Sequence, residues 1–154
     1  MIRTLATLAA ISFSTVAFAD GHATGDVEAG EKAFKKCKSC HMIADGDNVI
    51  MKGGKSGPNL YGIIGTQAGS QEGFKYKKSI VAAGEAGLIW DEATLAEYVA
   101  DPSKFLKAYL DDSKARSGMS FKLKKGGEDV AAYLKSVGPV MEEEATEEAT
   151  SSDS

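Results

Sequence analysis

The sequence predicts an all-α domain of short helices joined by long glycine-rich loops, and three observations carry that prediction. Apolar residues recur at the three-and-four spacing of a helix face in several segments. Between His41 and Trp90, by contrast, no alternating pattern is long enough for a confident strand. That stretch carries Gly46, Gly53, Gly54, Gly57, Gly62, Gly65, Gly69 and Gly73. The third observation is a single C-x-x-C-H, Cys37-Lys38-Ser39-Cys40-His41.

The pentapeptide resolves a difficulty posed by the loop. So long a structureless segment counts against a compact domain unless something other than secondary structure supplies a core. Two thiols three positions apart on one helical turn can each form a thioether to a haem vinyl group, and the adjacent histidine can reach the iron. One covalent haem c, attached through Cys37 and Cys40 with His41 as an axial ligand, would be the surface onto which the loops pack. A structural zinc site needs four ligands, and the chain offers only Cys37, Cys40, His41 and the distant His22. A redox dithiol needs a strand-helix-strand setting that these flanks lack. A simple disulfide between the two cysteines is the remaining reading.

The elements follow in chain order. Arg3 precedes an apolar run from Leu5 to Phe18 that closes on Ala17-Phe18-Ala19, an A-x-A cleavage signature. A secretory signal over 1–19, cleaved after Ala19, is expected, because the run is short for a membrane span and broken by Ser12, Ser14 and Thr15. Export to a bacterial periplasm follows, with residues 20–25 as a flexible leader. Val27, Gly30, Phe34 and Cys37 predict a helix from about Asp26 that runs into the C-x-x-C-H and presents it at its C-terminal end. Asp91 is the expected N-cap of a helix carrying Leu95, Tyr98 and Val99, interrupted at Pro102. Phe105, Leu106, Tyr109 and Leu110 mark another segment. Val130, Tyr133, Leu134 and Val137 mark a last helix, stopped by Gly138-Pro139. The domain is expected over 26–140.

Residues 141–154 are too acidic and too poor in apolar side chains to offset their ordering entropy, and are expected to form a disordered tail. The formal net charge is −4, but six of the 22 acidic residues fall in this tail, so the remainder is nearly neutral. A nearly neutral, exported domain is a poor nucleic-acid binder.

The ordered motifs from Gly25 to Val137 resemble the class I cytochromes c, and within them the bacterial cytochrome c2 group with enlarged loops. Asp26-Val27-Glu28-Ala29-Gly30 with Phe34 matches that family's first helix, where Gly30 would let the C-terminal helix cross closely. Gly57-Pro58-Asn59-Leu60-Tyr61-Gly62 matches its proline loop. Gly73-Phe74-Lys75-Tyr76, Trp90, Thr94-Leu95-Ala96-Glu97-Tyr98, Pro102 and Ala132-Tyr133-Leu134-Lys135 follow in the family's order.

The resemblance implies the class I cytochrome c fold, with helices and loops wrapped around the haem, and a methionine on the loop after the Pro102 helix as second axial ligand. Ser117-Gly118-Met119-Ser120-Phe121 has that position, so Met119 is the expected ligand. Met42 adjoins His41, Met51 sits in the first loop, Met141 belongs to the tail, and His22 is the nitrogen alternative in the leader. The Pro58 carbonyl would accept the other ring N–H of His41. Tyr76 and Trp90 would hydrogen-bond a haem propionate, with Ser117 as a further donor, and Tyr98 would lie near the Met119 sulfur.

Thioether and imidazole together favour the ferrous state and leave no open position on the iron. The implied function is therefore a soluble single-electron carrier in respiration or photosynthesis. It would take electrons from a cytochrome bc1 type complex and pass them to a terminal oxidase, a photosynthetic reaction centre or a periplasmic reductase. The rival is a haem enzyme such as a peroxidase, or a ligand-binding sensor, either needing a labile sixth position. Lys36, Lys55, Lys104, Lys124 and Lys125 match the family's lysine ring for transient docking of a monomer, with Lys38, Lys75, Lys77, Lys78, Lys114, Lys122 and Arg116 as additional charge. Three departures accompany the matches. His41–Pro58 and Pro102–Met119 are longer than in mitochondrial members, Thr66 stands where those carry an arginine, and Ile80 where they carry an asparagine.

Overall fold

The computed structural model describes residues 25–139. The expected signal peptide, the leader through Thr24 with His22, and the acidic tail lie outside the described residues.

Helix α1, Val27–Phe34, starts where Asp26 accepts a hydrogen bond from Ala29 N at 2.8 Å. The Asp26 N–H donates to Asp129 Oδ1 at 2.9 Å, tying this end to the C-terminal helix α5, Gly127–Val137. The two helices cross at Gly30. A Cβ there would run into the Asp129 carbonyl and stand 2.8 Å from the Tyr133 Cβ, so only a residue without a side chain permits the approach. Phe34, fully buried, meets the Tyr133 ring with centroids 5.8 Å apart.

Two expectations for the loop region are corrected. Strands β1, Ile43–Asp45, and β2, Asn48–Met51, form an antiparallel hairpin that pairs Ala44 with Val49 and Asp45 with Asn48. It left no alternating signature because the strands are short and Ile43 and Ala44, adjacent in sequence, are both buried. Met51 ends β2 and packs against the core rather than lying in a loop. Helix α2, Lys78–Glu85, was also not expected. It has no side-chain N-cap, and its buried face consists of Ile80, Ala83 and Gly84, two of which are too small to register as an apolar stripe. The rest of the segment is stitched by backbone bonds, Gly65 N to Trp90 O at 2.7 Å, Trp90 N to Thr66 O at 2.9 Å and Ala68 N to Leu88 O at 2.9 Å.

Helix α3, Glu92–Ala100, has the expected Asp91 cap, reinforced into a capping box by Thr94. Helix α4, Pro102–Tyr109, takes Pro102 at its first position and Asp101 as its cap, so the proline that ends one helix begins the next. The α5 stripe is as expected, with Val130, Tyr133 and Leu134 buried and Gly138 closing the helix. The fold is thus helical apart from the hairpin, with α5 packed on α1 and α3, and α4 on α2 and α3. Among the described residues no helix is long and apolar enough to cross a membrane.

Candidate haem site

A cavity of about 430 Å³ opens between the turns that follow α1, the 56–60 loop, the 69–80 segment, α3, α5 and the segment after α4. That volume falls within the range of roughly 300–1,000 Å³ typical of small-molecule and cofactor sites. Cys37, Cys40, His41, Pro58, Tyr76, Trp90, Tyr98 and Met119 all line it, although they span more than half of the described chain. Apolar walls come from Leu60, Ile63, Ile80, Leu95, Val130 and Leu134. Among the described residues no group of three or more His, Cys, Asp and Glu is placed to hold a metal ion.

The C-x-x-C-H lies not in α1 itself but on tight turns that follow it. Cys37 N donates to Phe34 O at 2.7 Å, and both Cys40 N and His41 N donate to Cys37 O at 3.0 Å. This winding brings Cys37, Cys40 and His41 together on the cavity lining. The two thiols are free, with no disulfide between them. Burial pushes the Cys37 thiol up to about 11, whereas hydrogen bonds from Ser56 and Ser39 lower that of the exposed Cys40.

His41 is held on two sides. Its Nδ1 lies 2.9 Å from the Pro58 carbonyl, which fixes that nitrogen as the N–H donor and leaves Nε2 for the cavity. Gly57 lies flat against the ring. A Cβ at this position would clash with Cε1 and stand 2.6 Å from Nδ1 and 2.8 Å from Nε2. Burial lowers the His41 pKa, and the bond to Pro58 opposes that shift in part. Behind the loop, the Asn59 side chain accepts from Ala44 N at 3.0 Å and donates to Ala44 O at 2.7 Å, so β1 anchors the residue after Pro58. The enlarged His41–Pro58 stretch is where the hairpin forms.

Around Met119, which also lines the cavity, the packing is polar. Tyr98 Oη and Ser117 Oγ are 2.7 Å apart, and Met119 N donates to Ser117 Oγ at 3.0 Å. Ser117 is thus bound to Tyr98 and to the Met119 backbone, and Tyr98 reaches the Met119 loop through it. Burial raises the Tyr98 phenol, opposed by the bond to Ser117. Trp90 is buried, its ring centroid 4.9 Å from Tyr98 and 6.3 Å from Phe105. Tyr76 meets Phe74 edge-on at 4.8 Å. Met42 and Met51 do not line the cavity.

Of the lysines expected to dock partners, Lys36 is on the cavity lining, whereas Lys55, Lys104, Lys124 and Lys125 are exposed but lie outside it. Lys75 and Lys77, which the sequence marked only as additional charge, do line it. Lys122 is committed to Asp101 at 2.7 Å. Ile80 contributes a buried apolar wall, and the Thr66 hydroxyl donates to Ile63 O at 2.7 Å. Sequence reasoning missed Gly57 and Asn59 as supports of His41, since neither contact has a spacing signature.

These residues fit a haem c. Two thiols, an imidazole and a thioether share one cavity lining with apolar side chains, and a glycine stands where any larger residue would displace the imidazole. No protein-family model matches the chain. The chain is 59% identical over 138 residues to cytochrome c-551 of Roseobacter denitrificans, covering 89% of this chain and 96% of that protein. It is 47% identical over 141 residues to cytochrome c-550 of Paracoccus denitrificans, covering 90% and 89%. The solved structure of cytochrome c2 from Rhodobacter capsulatus superposes with a TM-score of 0.72 at 60% identity, covering 73% of this chain and 98% of that one. The chain therefore belongs to the cytochrome c2 family of class I c-type cytochromes, soluble electron carriers, not enzymes, that hold one covalent haem c per chain.

Proposed function

We propose that Cys37 and Cys40 carry the haem as thioethers, that His41 Nε2 and Met119 Sδ are its axial ligands, that Tyr76 and Trp90 support the propionate side, and that Ser117, which does not line the cavity, supports the methionine side through Tyr98 and the Met119 backbone. The observation that carries this reading is the convergence on one cavity of His41, oriented by the Pro58 carbonyl at 2.9 Å, and Met119, whose backbone is bound to Ser117 at 3.0 Å. The haem supplies one-electron chemistry, and sulfur-imidazole ligation favours its reduced form. The protein's own part is to hold both ligands in place, exclude water with the apolar walls, and present a basic rim to partners.

In this reading the mature protein is a periplasmic monomer, processed after Ala19, with its domain over 26–140. It accepts electrons from a bc1 type reductase and delivers them to an oxidase, a reaction centre or a periplasmic reductase. Family membership supports membrane redox partners in general. Lys36, Lys75 and Lys77 on the cavity lining, with Lys55, Lys104, Lys124 and Lys125 outside it, supply the docking charge.

The test is Met119→Ala. The ferric holoprotein should lose its far-red sulfur-to-iron band, bind small ligands and show a lowered potential. A ferric spectrum identical to wild type would remove Met119 from the ligand set.

A further inference from the structure

Two serine hydroxyls that lie outside the cavity hold the loop carrying Met119. Ser79 is the second residue of α2, and its Oγ accepts a hydrogen bond from Arg116 N at 3.1 Å. Ser103 is the second residue of α4, and its Oγ accepts from Ser117 N at 3.1 Å. Consecutive backbone N–H groups are thus tied to two different helices that pack against each other. Neither serine lines the cavity.

The loop depends on such ties. After α4 the chain turns through Asp111, which has a positive φ of 48°, and re-enters the core at the buried Ala115. It next joins the regular structure where Leu123 N donates to Val99 O at 2.8 Å. Between those anchors the loop is also tied by Lys122 to Asp101 at 2.7 Å and by Ser117 Oγ to Tyr98 Oη at 2.7 Å, and residues 116 and 117 are the backbone positions just before it reaches the cavity at Gly118.

We infer that Ser79 and Ser103 are positioning residues for the sixth iron ligand, keeping Met119 on the iron by clamping the two peptide N–H groups just upstream of it. The inference rests on Met119 being that ligand. An added ligand can bind only in molecules whose Met119 has left, so its apparent affinity scales with the open fraction. Losing one hydrogen bond of ordinary net strength should raise that fraction about fivefold.

The experiment is an imidazole titration of the ferric holoprotein, with unfolding in urea measured alongside. Ser79→Ala and Ser103→Ala should each tighten imidazole binding about fivefold and lower the reduction potential. Ser103→Thr, which keeps the hydroxyl, should return to the wild-type affinity. Met119→Ala should bind imidazole far more tightly than either. Serine variants within twofold of wild type overturn the inference if Met119→Ala binds tightly, and a lowered urea midpoint without tighter binding does the same by making the serines ordinary structural contacts. If Met119→Ala binds no tighter than wild type, the ligand assignment fails and takes the inference with it.

Discussion

Replacing Gly57 by alanine isolates the contact between the 56–60 loop and the proximal imidazole. Gly57 has no positive φ, so alanine adds volume there without backbone strain. The added methyl would meet the His41 ring at 2.6 Å from Nδ1 and 2.8 Å from Nε2, well inside van der Waals contact. Either the loop lifts or the ring turns, and both break the Nδ1 bond to Pro58 O. Overpacking typically costs about 1–3 kcal/mol, and the lost hydrogen bond adds about 1 kcal/mol. For a domain of this size the midpoint of thermal unfolding should therefore fall by roughly 10 °C. The ferric spectrum should change with it, because the ring that moves is the proposed axial ligand. Circular dichroism on heating and the visible spectrum of the same sample measure both effects. Gly46→Ala is the control: its φ is +56° with nothing within 4 Å of the added Cβ, so it should cost about 1 kcal/mol of backbone strain and leave the spectrum unchanged. A Gly57→Ala protein that melts within about 2 °C of wild type with an unaltered spectrum would show that loop and ring have slack, and the account of how His41 is oriented would fail.

Charge reversal should separate the cavity lining from the periphery. Lys36→Glu with Lys75→Glu, both on the cavity lining, should slow association with an isolated acidic-faced redox complex about tenfold at low salt. Lys104→Glu with Lys124→Glu, outside the lining, should slow it less, and all rates should converge at high salt as the charges are screened. Stopped-flow kinetics at two ionic strengths decides the matter, and equal salt dependence in wild type and both variants would refute steering. At the α3 cap, hydrogen bonds from the Thr94 N–H and hydroxyl hold the Asp91 carboxyl below the usual carboxylate range. A depressed native pKa means that the stabilisation is present above the ordinary carboxylate value and is lost as pH falls through the native one. Asp91→Asn should thus be less stable than wild type at neutral pH and approach it below about pH 4; a stability gap independent of pH would show that the charge does not matter.

Much of this protein is determined locally and is therefore visible in the chain. The C-x-x-C-H names its cofactor because the chemistry needs those residue types at that spacing. Asp91 with Thr94, Asp101 with Pro102, and the Val130-Tyr133-Leu134 stripe mark helices because caps and periodicity act within a few residues. What the tertiary structure decided concerns contacts between segments far apart in sequence. The hairpin and α2 were hidden because their buried faces are short or made of small residues. Bringing Lys75 and Lys77 to the cavity lining, laying Gly57 against His41, and tying Ser79 and Ser103 to the Met119 loop all depend on how helices and loops pack. No spacing encodes such a contact, because each forms only after chain closure has brought together residues up to 37 positions apart.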